Sequence, residues 1–458
     1  MSDTMRARLS PLERRAIAVL GTVYALRIFG LFLILPVFAL YAADLEGHTP
    51  FLVGLALGAY GLMQALLQFP FGSASDRLGR KPVIVGGLLI FALGSAVAAL
   101  ADSIWGVILG RAIQGAGAIP AVAMALLSDV TRETQRTKAM AAIGGSIGAA
   151  FIVSMVLSPL LEARIGVDGM FWLMAAAALA AIPLVWLGVP TPTRAAPPTQ
   201  KLRLADGQLL RLDAGIFVLH FALTALFVVL PLALVQRTGI AAPEHWKIYL
   251  GVMLASLVAM VPLVLYAHRR ARTRGVFVGA IGVLLVAECG FFLFDTALWP
   301  LVASLTLFFT AFNLLEALLP AWVSRIAPPQ AKGAAMGVYS TAQFLGAFAG
   351  GALGGLVQGL FGLEAVFVLV GAGLLLWLLI ALGLREPAHV QTHVLYLNEQ
   401  QTRDRGLTAR LAALPGVAEA VRLNEEGVVY LQVDPRRFDR AVLDEFATAP
   451  IVEGAAAH

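Results

Sequence analysis

Five ionisable side chains stand inside long apolar runs of the sequence: Arg27, Arg111, His220, Glu288 and Glu316. An ionisable group at the middle of a bilayer costs about 2.5–3.5 kcal/mol on insertion scales, so each is a candidate for function. Arg111, His220 and Glu316 are the candidates for proton coupling. Glu316 comes first, since a carboxyl group in a low-dielectric cavity is the usual proton carrier. One proton falling through ~100 mV supplies about 2.3 kcal/mol, which holds roughly a fiftyfold gradient of a neutral solute. Glu288 reads as a polar anchor, and His220 reads equally as a simple hydrogen-bond donor.

Neutral polar residues recur beside these charges at helical spacing. Tyr24 precedes Arg27 by three, Gln114 follows Arg111 by three, and Asn313 precedes Glu316 by three. Tyr60, Gln64 and Gln68 recur at every fourth position, and Tyr339 and Gln343 are followed by Gly346 and Gly350. Such spacing puts each set on one helix face. With Arg27 they are the substrate-cavity candidates. Glutamine and asparagine on these faces read equally well as glue between helices. Arg27 has a further reading, as a snorkelling side chain.

These residues need a scaffold that buries polar groups in lipid. The 458 residues are 59% hydrophobic and 13% charged, about half the usual share of charge. Runs of about 20 apolar residues without period-2 alternation indicate transmembrane helices. Twelve spans are expected: roughly 16–42, 51–72, 82–101, 104–127, 138–161 and 169–189, then 213–236, 246–267, 275–295, 298–324, 333–361 and 363–384. The fold class is thus an all-α polytopic membrane protein. It comprises an N-terminal six-helix bundle (1–189), a cytoplasmic linker (190–212) and a C-terminal six-helix bundle (213–385). A small α+β domain follows at 388–453.

With the N-terminus in the cytoplasm, Lys and Arg in the loops divide 20 against 3 in favour of that side. Both termini are therefore expected to be cytoplasmic. Residues 1–16 are polar and basic, with no cleavable signal peptide, and the first apolar run is long enough to span. The single cysteine, Cys289, excludes a disulfide framework and a thiolate metal cluster.

The loop between spans 2 and 3 reads GSASDRLGRK, Gly72 to Lys81. Positive-inside bias explains Arg77, Arg80 and Lys81 but not Asp76 or the glycines at 72 and 79. This run resembles the G-x-x-x-D-R-x-G-R-K signature of the major facilitator superfamily. RAIQGAG, Arg111 to Gly117, is a second match in span 4. LSDVTRE after span 4, PEHWKIYL before span 8 and the tail are similar to the YajR subgroup. The resemblance covers residues 15–385. It implies two six-helix halves that alternate in access, in a bacterial inner membrane. It also implies that Gly72, Asp76, Arg77, Gly79, Arg80, Lys81 and Asp129 form a conformational latch. In that latch Asp76 faces the start of span 11 near Gly333, and Arg80 pairs with Asp129. The equivalent loop at 268–275, HRRARTRG, lacks the aspartate and the glycine pattern, so the latch is one-sided. In span 5 the family's antiporter signature ends in glycine–proline; here Ser158, Pro159, Leu160 and Leu161 follow Gly144 and Gly148.

The tail changes sign. Residues 386–458 hold 7 Lys+Arg and 11 Asp+Glu, net −4, against net +9 for the first 385. Strands are expected at 394–398, 417–423, 428–434 and 451–452, helices at 402–413 and 436–447, and a turn at 424–427. That order is βαββαβ, a ferredoxin-like unit. The framework resembles heavy-metal-associated domains without their cysteine pair. His389 and His393 alone do not make a metal site, so neither metal nor other cofactor is expected. The tail's charge predicts salt-sensitive docking on the protein's own basic cytoplasmic loops.

The leading function is a proton-driven secondary transporter exporting a small, amphipathic solute, an antiporter acting as a monomer. Its partners are that solute, protons and the bilayer. The alternative is a membrane sensor on a transporter scaffold that signals through its tail. There is no HExxH motif, no paired His/Asp set at a membrane face and no phosphate-cradling loop, so neither an enzyme nor ATP drive is expected. The net charge of +5 reflects topology, not nucleic-acid binding.

Overall fold

The computed structural model describes residues 9–191, 206–269, 272–293, 297–327, 332–386, 391–397, 401, 404, 406–423, 428–433, 437–439 and 452–453. The chain divides into two compact units, Met1–Arg385 and Glu386–His458.

Among the described residues the first unit is built of helices. Its elements are α1 (Pro11–Leu33), α2 (Leu35–Tyr41), α3 (Pro50–Leu78), α4 (Arg80–Ala99), α5 (Ile104–Ala116), α6 (Pro120–Val130) and α7 (Glu133–Gly188). They continue with α8 (Gly207–Thr238), α9 (His245–Arg269), α10 (Thr273–Leu293), α11 (Leu298–Ile326), α12 (Lys332–Phe361) and α13 (Leu363–Ala381). Eleven stretches among the described residues are long and apolar enough to cross a membrane. One of them, Lys138–Gly188, contains a non-helical turn at Gly166 (φ 68°, ψ 173°) and is long enough to cross twice. That supplies the twelfth crossing.

Four expected spans differ in outline. Span 1 breaks at Ile34, ahead of Pro36, into α1 and α2. Span 4 breaks at Gly117–Ile119, ahead of Pro120, into α5 and α6. Proline lacks the N–H that would continue the ladder, and its ring clashes with the preceding turn. Spans 5 and 6 run together as α7 apart from Gly166, whose positive φ suits glycine.

In the first half α1 packs on α7, α4 on both α5 and α7, and α3 on α5. In the second half α10 and α9 pack on α11, and α13 packs on α8 and α10. The halves meet chiefly where α3 lies along α12, with α2 against α8 and α7 against α9. Helix α8 is apolar all round and correspondingly enclosed: every residue from Leu219 to Pro231 is buried.

Glycine makes the α3–α12 approach possible. A Cβ at Gly54 or Gly351 would strike the other's carbonyl oxygen, and one at Gly58 would stand 2.8 Å from the carbonyl oxygen of Phe348. On its other side α12 presents Gly346 and Gly350 to the backbone of Phe217 and Phe221 in α8. The contacts of Gly54, Gly58 and Gly351 lie toward the face poor in lysine and arginine. Phenylalanines add to the closure: Phe151 of α7 stacks on Phe312 of α11 at 5.6 Å and meets Phe32 edge-on at 4.7 Å.

The basic face is looser. Gly72 and Gly333, at the opposite ends of α3 and α12, have open space around them. Along α9 the residues Val258, Ala259, Val261, Pro262, Leu263, Leu265 and Tyr266 are all exposed, which covers most of the helix circumference. Gly144, Gly145 and Gly148 on α7 also face open space. The structure is thus packed tightly on one side of the membrane and parted on the basic side.

The second unit holds β1 (Gln391–Tyr396), α14 (Leu407–Ala412), β2 (Val417–Leu423), β3 (Val428–Val433) and β4 (Val452–Glu453). The sheet order is β2-β3-β1-β4. Every pairing is antiparallel, with Leu395 opposite Val429 and Ala420 opposite Leu431. Val429, Leu431 and Val433 alternate inward and meet Leu395, Leu407 and Leu411 in a small core. Strand β1 starts three residues earlier than expected. The expected turn at 424–427, most of the helix expected at 436–447, His389 and linker residues 192–205 lie outside the described residues.

Gly351→Ala is expected to lower the thermal midpoint through overpacking of about 1–3 kcal/mol. Gly371→Ala, where a Cβ meets open space, should leave the midpoint unchanged or raise it. Differential scanning fluorimetry of the two variants checks this.

Candidate functional site

The break in span 4 and the charge in span 1 belong together. Gly117, at the break, turns its carbonyl oxygen toward Arg27, whose Nη1 donates to it. Arg27 Nη2 donates to the Tyr60 hydroxyl at 2.7 Å and to Gln64 Oε1 at 3.1 Å. The guanidinium also lies 5.1 Å from the centre of the Phe91 ring. Gly117 is itself pressed against the carbonyl of Gly87, leaving no room for a side chain.

Arg111 also lies against Tyr60, with its guanidinium 5.2 Å from the ring centre. It donates to Gln114 Oε1 at 3.0 Å, and Gln114 donates to Ser95 Oγ at 2.7 Å. Arg27 is 4% and Arg111 1% exposed, so both charges are shielded from bulk solvent. Neither has a carboxylate partner among the described residues. A small cavity lies beside Arg27, lined by Val23, Tyr24, Arg27, Tyr60 and Ile119 of the first half and by Phe344 of the second.

A separate cluster forms in the second half. Gln343 Nε2 is 2.8 Å from His220 Nε2 and 3.4 Å from Glu316 Oε1. His220 also sits against the Phe312 ring, 5.8 Å centre to centre. Tyr339 is buried on the same helix as Gln343, and its hydroxyl has no hydrogen-bond partner. Asn313 donates to Ser256 Oγ at 3.2 Å. Arg111 therefore does not join Glu316 and His220, with which it was grouped from the sequence. Glu288 is buried away from the cavity lining, with neither carboxyl oxygen hydrogen-bonded. Gln68 bridges the halves through a 3.1 Å bond to the carbonyl of Gly337.

At the turn between α3 and α4, Gly79 has φ 98° and joins the two helices without an intervening loop. Arg80 gathers the neighbourhood. It pairs with Asp76 at 2.5 Å and with Asp129 at 3.0 Å, and it donates to Ser75 Oγ at 2.6 Å. Ser75 Oγ in turn donates to the carbonyl of Gly72 at 2.7 Å. Lys81 donates to the carbonyl of Trp186 at 3.1 Å, and Arg77 is exposed. The expected contact of Asp76 with the start of α12 is not made among the described residues: its ion-pair partner is Arg80, and Gly333 faces open space. The ends of α3 and α12 have parted on this side.

Two features escaped the sequence reading. Glu13 caps α1 reciprocally with Ser10, and it accepts from Arg132 N and Nε at 2.9 Å each and from Nη2 at 2.8 Å. The Ser-x-x-Glu capping box was the available signal; the distant arginine had none. Gly144-Gly145-Ser146-Ile147-Gly148 has the Gly-x-Ser-x-Gly spacing of a nucleophile elbow. It lies within continuous helix, and Ser146 Oγ is hydrogen-bonded to the carbonyls of Ile143 and Gly21, so it is a packing element.

The Major Facilitator Superfamily profile matches residues 20–214 and again 212–395. The chain belongs to that family. It is 44% identical over 447 residues to the inner membrane transport protein YajR of Escherichia coli K12, covering 96% of this chain and 98% of the relative. The multidrug resistance protein MdtH of Aeromonas hydrophila is 28% identical over 338 residues, 72% of this chain and 84% of the relative. Among solved structures, a bacterial homologue of the human lysosomal transporter Spinster, inward-facing and occupied, superposes with a TM-score of 0.66 at 14% identity. It covers 82% of this chain and 97% of its own. The human organic anion transporter MFSD10 gives a TM-score of 0.61 at 22% identity, over 81% of this chain and all of its own. The protein is thus a multi-pass inner-membrane transporter and not an enzyme.

Glu13→Gln and Arg132→Gln are expected to couple in a double-mutant cycle by about 1.5–3 kcal/mol, the range for hydrogen bonds to charged groups. Unfolding of the purified single and double variants checks this. Additive effects would show that the pair contributes nothing to holding α1 on α7.

Proposed function

We propose that the protein exports a small amphipathic solute in exchange for protons by alternating access. The observation that carries this reading is the separation of the buried polar groups. The first half holds two arginines and a cavity, and the second holds the Glu316–Gln343–His220 cluster. Solute and proton would then occupy different groups in one bundle. A relative named for multidrug resistance supports export as the direction.

The tight face and the parted basic face support a state open toward the cytoplasm. In the opposite state the basic face must close, and Asp76 would then reach the N–H groups at the start of α12, where a negative charge is favoured. Arg80, held between Asp76 and Asp129, sets the position of that carboxylate. Asp76→Asn and Arg80→Ala are expected to slow counterflow in proteoliposomes at least tenfold while the protein stays folded. The solute is chosen beforehand by a thermal-stability screen. Wild-type rates in both variants would remove the latch.

Glu316 serves as the proton carrier in this reading, with Gln343 able to donate to it when it is ionised. Glu316→Gln should abolish accumulation driven by a pH gradient yet leave downhill exchange in place. Continued uphill accumulation would assign the proton to another group or to none.

The tail serves a regulatory role in this proposal. Its strand order supports a ferredoxin-like unit, and its net charge of −4 supports salt-sensitive attraction to the basic loops.

A further inference from the structure

We propose that the cavity beside Arg27 binds the anionic head of a small organic acid, a carboxylate or sulfonate on an apolar body. This rests on the transporter reading and names the class of solute.

The argument is one of uncompensated charge. Arg27 and Arg111 are both almost wholly buried, and their acceptors are neutral oxygens: a carbonyl, a hydroxyl and two amides. A buried charge is normally paired with its opposite. Here the two guanidiniums lie 5.8 Å and 5.2 Å from the centre of the Tyr60 ring, and no carboxylate among the described residues pairs with either. Donors are also left over. Arg27 Nε and Arg111 Nε and Nη2 are buried without an acceptor. Guanidinium offers five N–H donors and no acceptor, so spare capacity of this kind can be met only by an electron-rich group.

The cavity places the capacity of Arg27 within reach of a ligand. Arg27 forms part of its wall, and so does Tyr60, whose hydroxyl already accepts from Arg27 and keeps its own hydrogen to donate. The rest of the lining is apolar or aromatic: Val23, Tyr24, Ile119 and Phe344. No carboxylate lines it, so a cationic solute finds no counter-charge there. Glu316 is engaged with Gln343 in the other half. An acid group on an apolar body satisfies both parts of the lining, and its charge offsets that of Arg27.

The test is binding to the full-length protein in nanodiscs, read as the shift of the thermal midpoint on titration. The probes are 4-phenylbutyrate, its trimethylammonium analogue and 4-phenylbutanol, which share one body and differ in the head. A saturable upward shift is expected with phenylbutyrate and none with the other two. Arg27→Gln should weaken the apparent affinity for phenylbutyrate at least tenfold, and Arg27→Lys should retain part of it. A shift with the ammonium or the alcohol equal to that with the carboxylate would overturn the proposal. So would an unaltered response in Arg27→Gln, or no shift with any probe up to its solubility limit. If Arg27→Gln does not fold, the three-probe comparison on the wild type and on Arg27→Lys decides. The assay needs no turnover, so its failure leaves the transport reading to be judged by counterflow.

Discussion

A guanidinium in an apolar bundle has to be surrounded by oxygen, and the first half of this protein is arranged around that need. Arg27 draws on the carbonyl of Gly117, the hydroxyl of Tyr60 and the amide of Gln64. The carbonyl is available because span 4 breaks ahead of Pro120, and the break can sit there because Gly87 and Gly117 touch backbone to backbone. Tyr60 is fixed in turn by the fit of Gly115 against its backbone. A charge in span 1 thereby fixes the bend of span 4 and the packing of spans 2 and 3.

The second constraint is close approach. Helix α12 touches α3 through Gly54, Gly58, Gly61 and Gly351, and touches α8 through Gly346 and Gly350. In a membrane the hydrophobic effect does little to hold helices together, so small residues that let backbones meet carry much of the packing. This seam is closest toward the face poor in lysine and arginine. Toward the basic face it persists through Gln68 and Phe69 against Gly337 and then opens. A contact that is tight at one end and parted at the other allows two halves to rock about a fixed region.

The polar groups follow this division. Arginines occupy the half whose helices break to expose backbone oxygen. The carboxylate, imidazole and amide of Glu316, His220 and Gln343 occupy the half whose helices stay continuous there and whose neighbours are phenylalanines. Between them the rings of Phe151 and Phe312 meet across the two halves.

Much of this was legible in the sequence because it rests on local quantities. Length and hydropathy of each run settled the crossings, lysine and arginine bias oriented them, and residue spacing put Tyr60, Gln64 and Gln68 on one face. Helical periodicity is a property of a single segment, so one segment suffices to read it. The sequence also marked Arg27 and Arg111 as costly, since a charge in an apolar run is costly whatever surrounds it. Partners were another matter. That Arg27 meets Gly117, that Arg111 joins Gln114 and Ser95 but not Glu316, and that Glu13 anchors Arg132 depend on helices 19 to 119 positions apart lying side by side. Asp76 shows the same limit. Its acid-among-bases pattern is local, but whether it touches α12 or turns to Arg80 depends on whether the basic ends of the halves are together or apart. Only the tertiary structure decides that, because the separation is a property of how two bundles rock, not of any stretch of chain.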